Sequence, residues 1–99
     1  MSIDATVAKH AIYDKLQAQI STAEAKLNTL NARAETAKAN AEIKLIAELL
    51  AKKLTIQRKL HELKQAGAER WEQAKADLES QIAEFEKSVK ELESKLHSH

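Results

Sequence analysis

Helix breakers are almost missing from these 99 residues: there is no proline, and the one glycine is Gly67. Proline ends a helix by removing an N–H and clashing with the turn before it, and glycine weakens one through backbone entropy. A chain with a single such mark has one obvious place to reverse direction. The remainder is dominated by Ala, Leu, Glu, Lys and Gln, all strong helix formers. Charged residues make up 31% and aromatic residues 3%, the balance of a long-helix or coiled-coil protein. A single all-α domain over residues 1–99 is expected.

The apolar residues follow a heptad. Leu16, Ile20, Ala23, Leu27, Leu30, Ala34, Ala37 and Ala41 are separated by alternating steps of four and three, which keeps one stripe turned toward a partner helix. Ile3, Val7 and either Ile12 or Tyr13 extend the stripe toward the N-terminus, where Ser2 or Asp4 is suited to cap the helix. Beyond Ala41 the seam continues through Leu45, Leu49, Lys52 or Lys53, Ile56, Leu60 and Leu63. Ile46, Leu50 and Leu54 lie beside it, and a face this wide suggests two neighbours rather than one. After Gly67 the seam resumes at Trp71, Ala74, Leu78, Ile82, Phe85, Val89, Leu92 and Leu96.

Read outward from Gly67, the two seams are near mirror images. An antiparallel hairpin would face Leu63 with Trp71, Ile56 with Leu78, Leu49 with Phe85 and Leu45 with Val89. The expected hairpin core is therefore Leu45, Leu49, Ile56, Leu60, Leu63, Leu78, Ile82, Phe85, Val89 and Leu92, with Gly67 and Trp71 at the turn. Charge supports the pairing. Residues 41–66 hold six Lys/Arg and three Asp/Glu, a net of +3, and residues 67–99 hold five and eight, a net of −3. Opposite charge on facing helices helps set their orientation.

The sequence thus predicts a long first helix over about 4–65 and a second over about 69–97. The second is too short to cover the first, so the seam of residues 7–37 needs a partner. A homo-oligomer, with a dimer favoured, follows, its interface formed by Leu16, Ile20, Ala23, Leu27, Leu30 and Ala34. The alternative is a second turn near 38–40 and a three-helix bundle within one chain. Alanine, the best helix former, is dense around Lys38-Ala39-Asn40 and no glycine or proline marks a turn there, which favours the long helix.

Few residues suggest chemistry. With no cysteine, disulfide and thiolate-metal chemistry are excluded. The four histidines are scattered. His10 with Asp14 reads as a solvated pair on one helix face, and His97 with His99 as a tail. No Glu stands three residues before a His, as a carboxylate-bridged metal bundle requires. One glycine cannot build a phosphate loop. No catalytic, cofactor-binding or metal-binding residues are expected, and the chain reads as a non-enzyme. The basic residues Lys52, Lys53, Arg58 and Lys59 face the acidic second helix, and the net charge is only +1, so no nucleic-acid partner is expected. The most apolar run, Ile43 to Leu50, is interrupted by Lys44 and Glu48 and is far too short to span a bilayer. The start lacks the basic residues and apolar core of a signal peptide, so a cytoplasmic protein is expected.

One stretch, Leu60-His61-Glu62-Leu63-Lys64-Gln65-Ala66-Gly67 followed by Trp71, Glu72 and Lys75, resembles a group of small bacterial coiled-coil proteins. These share Lys-Leu-x-Glu-Leu-Lys-x-Ala-Gly-x-x-x-Trp-Glu-x-x-Lys. Their usual Tyr-x-x-Lys-Leu-x-Ala-Gln-Leu start is similar to Tyr13–Ile20. The resemblance implies a long helix followed by a hairpin and brings no catalytic residue with it. The function expected is that of a structural or protein-interaction coiled coil, with an unidentified protein partner as one form of that role. The rival is an amphipathic lipid-surface or stress-related protein.

Overall fold

The computed structural model describes residues 2–97, with side chains from Ala8 onward. The side chains that bear on the caps expected of Ser2 and Asp4 and on the seam positions Ile3 and Val7 are outside that description, as are the tail residues Ser98 and His99. The described chain forms three helices: α1 (Ser2–Ala37), α2 (Asn40–Gln65) and α3 (Ala68–His97). Each packs on the other two, in an up-down-up bundle measuring 55 × 17 × 15 Å.

The all-α class holds, but the first helix does not run unbroken from residue 4 to residue 65. It stops at Ala37, and the chain closes the three-helix bundle that stood as the alternative. Lys38 causes the stop: its φ of 56° is left-handed. Its N–H donates to Glu35 O (3.2 Å), and the next N–H, of Ala39, donates to Ala34 O (2.9 Å). These are the two bonds of a Schellman motif, with lysine in the position usually held by glycine. The motif's usual apolar contact joins the residue after the left-handed one to a residue in the last helical turn. Here those residues are Ala39 and Ala34, both buried.

The second turn lies at Gly67, where the sequence places it. Ala66 is extended (φ −69°, ψ 139°), and its N–H donates to Leu63 O. Gly67 O then accepts from the N–H groups of Arg70 (3.1 Å) and Trp71 (3.0 Å), which starts α3. Gly67 does not have a positive φ.

The third helix removes the need for an oligomer to cover residues 7–37. Leu16, Ile20, Ala23, Leu27, Leu30 and Ala34, expected at an interface between copies, are buried within the chain itself. They form one core with Ile56, Leu60, Leu63, Leu78, Ile82, Phe85, Val89 and Leu92. Two positions of α2 depart from the expected hairpin core. Leu49 is half-buried, and Leu45 is 36% exposed while Ile46 beside it is buried. A helix wedged between two others centres its apolar face between them, and that moves the inward position from Leu45 to Ile46.

Among the described residues, a charged side chain stands at a position of the core row. Lys53 rather than Lys52 turns inward; its side chain is only 13% exposed, and its ammonium pairs with Glu24 of α1. The pairs Lys26–Glu93 (3.1 Å) and Lys59–Asp77 (3.4 Å) join α1 to α3 and α2 to α3 across the surface.

Candidate functional site

With the seams internal, the residues available to a partner or ligand are those the bundle leaves outside or half-covered. Two regions stand out. The first is the outer face of α2. Ala47, Leu50, Ala51 and Leu54 lie at spacings of three, one and three, the pattern that lines up one helical face. Leu50 is half-buried, Ala47 and Ala51 are exposed, and Leu54 is 58% exposed, the most exposed large apolar residue among those described. Lys44 and Arg58 flank this stripe and are also exposed. The sequence shows Leu50 and Leu54 as a widening of the seam. The structure gives Ile46 to the core, packs Leu50 against its edge and leaves Leu54 outside.

The second region is the end of the bundle where the α2–α3 turn meets the beginning of α1. Trp71, one turn into α3, is 7% exposed and joins the core. Lys9 Nζ lies 5.3 Å and Lys75 Nζ 5.6 Å from the centre of its ring. Lys64 Nζ lies 5.4 Å from the centre of the Tyr13 ring. These are cation–π distances, at which the negative face of the ring attracts the ammonium. Between the two rings is a cavity of about 210 Å³ lined by Lys9, His10, Tyr13, Leu63, Lys64, Ala66 and Trp71.

The sequence places Trp71 at the turn, facing Leu63, and the structure buries it there. It gives no hint that Lys9 and Tyr13 come to the same place, because they are about 60 residues away along the chain and only the third helix brings them together. Their spacing of four, which sets both on one face of α1, is the only signal the sequence contains.

His10 Nε2 is 3.4 Å from Asp14, and both side chains are mostly in solvent, which fits a surface pair. Among the described residues, no three His, Asp or Glu side chains gather at metal-binding distance. No helix of these residues is long and apolar enough to cross a membrane.

No protein-family model matches this chain, and neither does any curated protein or solved structure.

Proposed function

We propose that this protein is a non-enzymatic structural or interaction protein of the cytoplasm, a helical bundle that acts through its surface and self-associates as a dimer. The observation that carries the reading is the stripe Ala47, Leu50, Ala51 and Leu54. It is an apolar row at helix-pairing spacing on the outer side of α2, with Ala47, Ala51 and Leu54 exposed and Leu50 half-buried against the core. Apolar faces rimmed by charge are typical protein-contact surfaces. Two α2 helices of neighbouring copies, set antiparallel, would place each leucine over an alanine, the large-against-small packing that helix interfaces favour. The stripe has no aromatic residue of the kind that anchors helices at a lipid interface, which favours a protein partner over a membrane. The likeness of Leu60–Lys75 to small coiled-coil proteins points the same way.

Gel filtration with light scattering tests the reading directly. A dimer has twice the 11.0 kDa mass of one chain, and Leu54→Lys is expected to return it to the single-chain mass without loss of helicity. Because Lys44 approaches Arg58 of the other copy in this arrangement, added salt is expected to strengthen association by screening the repulsion. A wild-type chain that remains monomeric at hundreds of micromolar would sink the self-association. Co-flotation with anionic vesicles would move the stripe to the lipid reading.

A further inference from the structure

The cavity between Tyr13 and Trp71 has the make-up of a ligand site. Its floor is apolar: Leu63 is buried and Ala66 half-buried. Its walls are two aromatic rings, and the ammonium groups of Lys9 and Lys64 lie among the lining residues, with no carboxylate. The carboxylates paired nearby are engaged outside it, Asp14 with His10 at 3.4 Å and Glu72 with Lys75 at 3.9 Å. Lys9 and Lys64 instead rest on the faces of Trp71 and Tyr13. An ammonium on an aromatic face has given up part of its hydration on that side but keeps N–H donors on the other. Two such groups at one cavity form a ready receptor for an anion.

Size narrows the ligand. At about 210 Å³, the space is smaller than the roughly 300–1,000 Å³ of sites for drug-sized molecules, and a single ring or a short chain fills it. An aromatic and apolar lining that also holds two ammonium groups suits an amphipathic anion. A bare ion such as phosphate would leave the rings uncovered.

We propose that this end of the bundle binds a small aromatic monocarboxylate. Its ring sits between Tyr13 and Trp71 over Leu63, and its carboxylate accepts hydrogen bonds from the ammonium groups of Lys9 and Lys64. The site lies at the end of the bundle, away from the α2 stripe, and does not depend on dimer formation there.

The test uses the full chain and two probes of nearly identical shape, 4-fluorobenzoate and 4-fluorobenzamide, followed by fluorine NMR. The fluorescence of Trp71, the only tryptophan, reports on the site itself. The carboxylate is expected to bind at least tenfold more tightly than the amide and to change the Trp71 emission. The double variant Lys9→Gln/Lys64→Gln is expected to lose at least tenfold in affinity, and Lys9→Arg/Lys64→Arg to recover most of it. Lys59→Gln, a change on the α2–α3 surface, should leave binding unaltered. Equal affinity for acid and amide, full affinity in the double Gln variant, or no binding at millimolar probe would each overturn the proposal. The acid–amide comparison is made on the unaltered protein, so it decides the question even if the double variant fails to fold.

Discussion

Lys38 occupies the left-handed conformation that the ends of helices usually give to glycine (φ 56°), while Gly67 sits where almost any residue fits. For an L-residue with a Cβ that conformation costs roughly 1–2 kcal/mol, and the two backbone hydrogen bonds of the motif and the burial of Ala39 against α1 offset it. Lys38→Gly should therefore stabilise the bundle by about 1 kcal/mol, seen as a higher midpoint in urea unfolding with an unchanged slope. A Cβ added at Gly67 would meet no atom within 4 Å, and its φ is not positive. Gly67→Ala is expected to alter stability by less than about 0.5 kcal/mol, and Gly67→Asp to add a few tenths by capping α3. If Gly67→Ala were far more damaging than Lys38→Ala, this account of the two turns would be wrong.

Lys53 is the other residue whose environment decides its role. Its stem lies in the core row between Leu49 and Ile56, and its head reaches Glu24, which is 34% exposed. A pair so close to the surface contributes little net energy, since desolvation of the ammonium offsets the attraction. Lys53→Met, which keeps the volume and leaves Glu24 in contact with water, should stabilise by about 1 kcal/mol. The lysine then acts less as a stabiliser than as a marker of register, because only one sliding position of α1 against α2 supplies its carboxylate. A melting temperature that falls in Lys53→Met would show that the ion pair outweighs its desolvation.

At the scale of elements, the phase of the apolar rows explains why α1 and α2 are two helices. The α1 row Leu16, Ile20, Ala23, Leu27, Leu30, Ala34 would continue by its own steps to positions 37, 41, 44 and 48. The α2 row that enters the core is instead Ile46, Leu49, Lys53, Ile56, Leu60 and Leu63. The two rows are offset alternately by two residues and by one, and at about 100° per residue this turns the apolar face by roughly 150°, well toward the opposite side of the helix. A straight helix through residues 34–46 would bury one row and expose the other. Reversing direction at Lys38 brings both to one core. The long-helix reading depended on Ala37, Ala41 and Leu45 to bridge the rows, and all three are exposed. Alanine is too small to reveal from sequence which side of a helix is buried.

The buried face of α1 now belongs to the fold of each chain. Leu27 is fully buried, and an aspartate there would be an unpaired charge in a dry core, a cost of several kcal/mol against a total stability of roughly 5–15 kcal/mol. Leu27→Asp is expected to abolish cooperative thermal unfolding by circular dichroism. Had the seam been an interface between copies, the variant would keep its helices and lose only its dimer mass. Phe85→Ala, also at a fully buried position, should cost about 3–4 kcal/mol.

At the scale of the whole molecule, shape separates the two architectures the sequence allowed. A helix of about 60 residues is roughly 90 Å long, whereas the bundle is 55 Å in its longest dimension with a Cα radius of gyration of 15.9 Å. Small-angle X-ray scattering of dilute protein should give a maximum dimension near the shorter value. One near the longer would restore the extended hairpin.

Helical class, the turn at Gly67, the burial of Trp71 beside it and the inward rows on either side were legible because each depends on residue type and on spacing along one helix. That much the sequence determined by itself: strong formers at nearly every position, a period of three and four, and one glycine. The turn at Lys38 was legible only as the alternative near 38–40, because lysine has no intrinsic preference for a left-handed backbone and adopts it only where tertiary packing repays the strain. The exchange of Leu45 for Ile46, the inward course of Lys53 and the meeting of Lys9, Tyr13, Lys64 and Trp71 were likewise decided by the third helix. Which of several apolar positions faces inward depends on how many neighbours a helix has, and a one-dimensional period cannot count them.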